Sequence, residues 1–190
     1  MKRIAFTAAF AALLTALPAA AEPESYTVDP NHTFPAFEIG HFGYSFQRGR
    51  FNKTTGKITV DTATKKGSVE IAIDTASVST GHEKLEQHLR SDDFFNVAVF
   101  PQMTFKSNDF AFDGDKVAAA RGELTLLGVT RPVTLKVVYF NCAMHPMMKK
   151  KVCGADLAAT IKRSEFGMTK LVPAVADDVL LRVNLEAIKD

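Results

Sequence analysis

The stretch 179-VLLRVNLE-186 decides how the chain folds. Val179, Leu181, Val183 and Leu185 fall on one side of an extended backbone, and Leu180, Arg182, Asn184 and Glu186 fall on the other. A repeat of two is the pitch of a β-strand with one buried face. The same pattern recurs upstream. Phe37, Ile39 and His41 oppose Ala36, Glu38 and Gly40, while Val69, Ile71 and Ile73 oppose Glu70, Ala72 and Asp74. Shorter alternations run through Ile58 and Val60, Met103 and Phe105, Leu124 and Leu126, Val133, Leu135 and Val137, and Leu157, Ala159 and Ile161. The reading is about eight strands, several joined by tight turns such as Gly128 to Pro132. One segment departs from it: Thr80-Gly81-His82-Glu83 reads as a capping box, and Leu85 and Leu89 follow four apart, predicting a short helix over roughly Gly81 to Arg90.

An antiparallel sheet of that size has to cover its apolar face, and one short helix is not enough. Two packed sheets would do so. Closure into a single barrel would as well, and it also removes the exposed edges. Barrels of about eight strands have an interior that side chains fill or that holds one small ligand. Fifteen Phe and no Trp suit a wide apolar interior. The segment after the helix, 91-SDDFFNVAVFP-101, then reads as a lid or plug. Asp92 and Asp93 stay in water while Phe94, Phe95, Val97 and Phe100 cover one end of the interior. The plainer alternative for the two rings is a staple between helix and sheet.

The N-terminus carries a different signal. Lys2 and Arg3 precede an apolar run from Ile4 to Leu17, too short to span a bilayer, and Ala19-Ala20-Ala21 supplies small residues for a peptidase. A leader over residues 1–21 and a mature domain over 22–190 are expected, exported to the periplasm. The chain has 23 Lys plus Arg and 21 Asp plus Glu; without Lys2 and Arg3 the counts are 21 and 21, so no basic footprint for nucleic acid remains. Cys142 and Cys153 lie in the exported part, where a disulfide persists. Closing their loop is worth about 3 kcal/mol by chain entropy.

The motifs "YTVDPNHTFPAFEIGHFGYSFQRGRF", "GKITVD", "HLRSDDFFNVAVFPQMTFKS", "GELTLLGVTRPVTL" and "IKRSEFG", in that order, resemble the YceI-like family of exported proteins. The resemblance runs from Tyr26 to about Ala187. It implies an all-β fold, a single antiparallel lipocalin-like barrel, enclosing an isoprenoid-type lipid or similar amphiphile in an apolar tunnel, with no reaction. It also implies a mild tendency to form homodimers. On that reading the inward residues line the ligand: Phe37, Ile39, His41 and Phe51 on the early strands, Ile71 and Phe105 in the middle, Leu124, Leu126, Leu135 and Val137 further on, and Phe94 and Phe95 from the plug. The bound lipid is the only expected cofactor, and a donor or acceptor in the inner membrane the expected partner.

Single residues admit two readings each. His41, on an apolar face, either meets a headgroup oxygen or is a structural histidine. His32, in Asp29-Pro30-Asn31-His32, suits a turn. Arg48 and Arg50 either meet an anionic headgroup or form a solvated face. A different function is copper binding by 142-CAMHPMMKKKVC-153, where Cys142, Met144, His145, Met147, Met148 and Cys153 offer soft ligands; a disulfide would remove both thiolates. Catalysis has little support. His82 and His88 are six apart, so their rings diverge by about 120° on a helix, and there is no Gly-x-Ser-x-Gly elbow or phosphate-cradling loop.

Overall fold

A computed structural model describes residues 22–190; the expected leader lies outside the described residues. The alternating segments form β1 (Glu24–Val28), β2 (Phe34–His41), β3 (Ser45–Phe51), β4 (Thr54–Asp61), β5 (Lys66–Asp74) and β6 (Val78–Ser79). Helix α1 (Glu83–Arg90) follows, then β7 (Gln102–Asp113), β8 (Lys116–Leu126), β9 (Val129–Met144), β10 (Lys151–Lys162) and β11 (Val175–Lys189).

Eight of these strands, in the order β1-β4-β5-β7-β8-β9-β10-β11, form a hydrogen-bonded ring that closes where Tyr26 and Val28 pair with Lys189 and Ala187. All neighbours are antiparallel. The remaining three strands prolong members of the ring beyond bends. β2 follows β1 along the same edge of β11, β3 pairs with β2, and β6 with β3. Side chains bonded to backbone hold these bends. Thr33 Oγ1 donates to the Glu186 carbonyl at 3.2 Å and accepts from its amide at 3.1 Å. Thr75 Oγ1 donates to the Phe100 carbonyl at 2.7 Å.

Because every step is antiparallel, the connections gather at two ends. The hairpin at 42–44, α1 with the segment 91–101, the turn at 127–128 and the loop 163–174 share one end. The turns at 62–65, 114–115 and 145–150 share the other, with residues 22–23 and 190. Two details differ from the sequence reading. The tight turn before β9 is Leu127-Gly128, with φ of 51° and 72°, and Val129 to Pro132 already pair with β8. The helix starts two residues later than expected, and its cap is not a Thr80–Glu83 box. His82 Nδ1 accepts from the Leu85 amide at 3.2 Å, and Glu86 Oε1 accepts from the amides of Thr80 and Gly81 at 2.7 and 3.0 Å. The same two jobs are done, but by imidazole and by the next carboxylate along.

The packed core sits toward the helix-bearing end, where Phe51, Val78, Phe95, Met103, Leu126 and Phe166 are buried. Phe95 meets Phe51 edge-on at 5.3 Å between centroids, and Phe37 lies 6.5 Å away. Phe37 lies flat on the wall because its cross-strand partner is Gly49, where a Cβ would sit 2.5 Å from the ring.

Candidate functional site

The inward side chains do not meet along the barrel axis. They leave a cavity of about 760 Å³, within the range of small-ligand sites. Its wall takes in His41, Gln47 and Arg48 at the helix-bearing end and Val60, Phe110 and Phe140 toward the other, so it follows the length of the barrel. The twelve residues chosen from sequence, Phe37, Ile39, His41, Phe51, Ile71, Phe94, Phe95, Phe105, Leu124, Leu126, Leu135 and Val137, all border this one space. The ten on strands do so because parity along a strand fixes the face, and closure turns one face inward everywhere, while Phe94 and Phe95 reach it from the segment after the helix.

At the helix-bearing end the 91–101 segment is an anchored plug. The Phe95 amide donates to the Leu89 carbonyl at 2.9 Å and the Asn96 amide to Ser91 at 2.8 Å, extending the helix end into a rigid turn. Phe94 and Phe95 both face the cavity, and the Phe94 ring meets His88 edge-on at 4.8 Å. The segment differs from expectation at three residues, one of them Val97, which packs against the core without bordering the cavity. Phe100 turns away from the cavity into a side groove over Gly128. Asp93 is not free in water: its oxygens reach His88 Nε2 at 3.0 Å and Lys170 Nζ at 2.9 Å, clasping α1 to the β10–β11 loop. The His88 and Lys170 contacts hold the Asp93 carboxyl below its usual range. Arg48 pairs with Glu38 at 2.6 Å while still bordering the cavity. Arg50 instead stacks on Phe34 at 4.3 Å. His32 is a turn residue, its Nδ1 2.8 Å from Asp29.

The sequence did not reveal three polar features of the wall. Arg163 is buried, and its guanidinium donates to the carbonyls of Ala176, Met168, Lys170 and Val175 at 2.8–3.0 Å, moulding the loop that rims the cavity. Burial pushes its pKa down, with Asp177 opposing the effect. At the far end, Glu24 accepts from Tyr26 at 2.5 Å, Lys151 at 2.6 Å and Lys189 at 2.8 Å, joining β1, β10 and β11. The lysine contacts, Lys151 first, hold the Glu24 carboxyl at about 2. Burial, and then Glu24, pushes the Tyr26 hydroxyl up. Thr54 Oγ1 is buried at the cavity wall and has no hydrogen-bond partner among the described residues. The partners in these sets lie up to 165 residues apart, so no local motif marks them.

Cys142 and Cys153 face each other across β9 and β10 and form a disulfide, with Cα atoms 4.1 Å apart. Met147 is 83% exposed in the connecting turn. His145 Nδ1 accepts from the amides of Met147 and Met148. In this oxidised form the copper alternative retains only thioethers and one imidazole nitrogen.

A closed eight-stranded antiparallel barrel, with one helix at its end and a long apolar interior, defines the lipocalin-like class. The YceI-like domain model matches residues 26–187, and the chain belongs to that family. Protein YceI of Salmonella agona is 35% identical over 192 residues, covering 100% of this chain and 99% of that one. The crystal structure of Burkholderia cenocepacia BcnA is similar with a TM-score of 0.70 at 26% identity, covering 84% of this chain and 98% of that one. A polyisoprenoid binding domain from Saccharophagus degradans, implicated in plant cell wall breakdown, shares the fold with a TM-score of 0.66 at 18% identity, over 88% of this chain and 99% of that one.

Proposed function

We propose that the barrel encloses the tail of an isoprenoid-type lipid, such as a polyprenyl chain or an isoprenoid quinone, and carries, stores or sequesters it in the periplasm after removal of a leader. The observation that carries this reading is the cavity of about 760 Å³ along the barrel axis, walled almost throughout by apolar side chains. A tail placed there leaves water completely, and each 100 Å² of apolar surface so buried gains about 2.5 kcal/mol. No reacting group is needed for that task. The polar end of the lipid fits the helix-bearing mouth, where His41, Gln47 and Arg48 border the opening. The description of the Saccharophagus domain as polyisoprenoid-binding supports the choice of ligand class.

Calorimetric titration of delipidated protein with a polyprenyl lipid tests this. One-to-one binding with a negative heat-capacity change is expected, the mark of apolar burial. Binding without that change, or none, would overturn it.

A further inference from the structure

We propose that the helix-bearing end of the barrel docks on an anionic lipid bilayer, with the β2–β3 hairpin tip and the β10–β11 loop seated at the headgroup boundary. The inference rests on the lipid-binding reading for its purpose, but its evidence is a separate surface. Phe42, Tyr44 and Phe46 are 48%, 89% and 61% exposed, and Leu171 and Val172 stand beside them at 45% and 36%. At about 200 Å² of side-chain surface per aromatic residue, the three rings alone leave about 400 Å² bare, as large as the biggest patch on an ordinary soluble monomer.

Two of these residues occupy backbone positions that favour other residue types. Phe42 has φ 51° and Leu171 φ 61°, in the left-handed region that favours Gly or Asn. Strain of this kind at an exposed apolar side chain points to use of that side chain. The Phe42 amide donates to the Ala174 carbonyl at 2.7 Å, so hairpin tip and loop form one platform.

Charge selects the occupant. Ile39 to Arg48 and Gly167 to Ala176, which form the tip and the loop, carry no carboxylate but hold His41, Arg48 and Lys170; Glu38 and Asp177-Asp178 stand just behind them in sequence. Arg48 and Lys170 pair with Glu38 and Asp93, yet their side chains remain 69% and 48% exposed. Aromatic rings flanked by basic groups suit an interface of phosphate headgroups over acyl chains. Arg48 and Leu171 also border the cavity, so the patch adjoins it and a tail leaving at this end enters lipid without crossing water.

The chain has no Trp, so a Tyr44→Trp variant carries a single reporter. With vesicles of phosphatidylethanolamine and phosphatidylglycerol its emission should shift to the blue, while a Met147→Trp variant, at the opposite end, should not respond. A combined Phe42→Ser, Tyr44→Ser, Phe46→Ser variant should keep its circular dichroism and bound lipid but lose at least about tenfold in vesicle sedimentation. A blue shift only at position 147, wild-type sedimentation of the triple variant, or a change in oligomeric state with vesicle binding intact would overturn the proposal. The vesicle assay, run on delipidated protein, reads docking even if the barrel binds no isoprenoid, so the two readings fail separately.

Discussion

Replacing Glu24 by Gln tests the seam where the barrel closes. The ring of strands is completed by only a short run of β1–β11 pairs, and Glu24 ties that run to β10 through Lys151 and to β11 through Lys189. Its pKa falls from 4.5 to about 2, chiefly through the Lys151 hydrogen bond, then those from Lys189 and Tyr26. At about 1.36 kcal/mol per pH unit this corresponds to roughly 3 kcal/mol. The carboxylate is 32% exposed, and solvent screening reduces the expected contribution to about 1–2 kcal/mol. A depressed folded-state pKa contributes stability that is complete above the unfolded value and fades as pH falls. The wild-type advantage over Glu24→Gln should therefore be full at pH 7, begin to shrink just above 4.5 and be gone near 2. Urea unfolding of both proteins along that pH range measures it. An advantage that stays constant from neutral to acid pH would refute the reasoning, since it would show that the carboxylate charge contributes nothing.

Other perturbations act on the cavity and its rim. Leu126→Asp puts a carboxyl into the apolar wall and should abolish lipid retention, read by extraction of the folded variant; retained lipid would count against this inward face. Asp93→Asn loosens the clasp between α1 and the β10–β11 loop. With exposed ion pairs worth about 0.2–1 kcal/mol, lipid release measured by transfer to acceptor vesicles should quicken up to about fivefold. Cys142→Ser with Cys153→Ser should lower unfolding free energy by about 3 kcal/mol, measured by urea unfolding. Both cysteines border the cavity, so lipid retention by the same variant reads what that end of the wall contributes.

Much of the fold was legible because period-two alternation survives wherever one face is wet and the other dry. That is the situation in β11, where Val179 to Leu185 alternate inward and outward as expected. Parity also assigned the wall of the cavity, although whether facing walls meet depends on barrel diameter, which no single strand encodes. The bends between β1 and β2 and between β5 and β6 were not visible, since they depend on Thr33 bonding Glu186 and Thr75 bonding Phe100. The helix cap was misassigned because Thr80 and Glu83 had the right spacing, whereas His82 and Glu86 had the right geometry. Arg163 lay inside a motif quoted for its likeness alone, and nothing local marks it as the group around which the rim loop folds.

The most direct test of the lipid-binding account is native mass spectrometry of the protein purified from a bacterial periplasm, followed by organic extraction of whatever it releases. The account predicts a stoichiometric adduct that extracts as a long-chain isoprenoid. A protein at its bare mass after incubation with such lipids, which instead takes up copper once the Cys142–Cys153 bond is reduced, would contradict it and place function in the methionine-bearing turn.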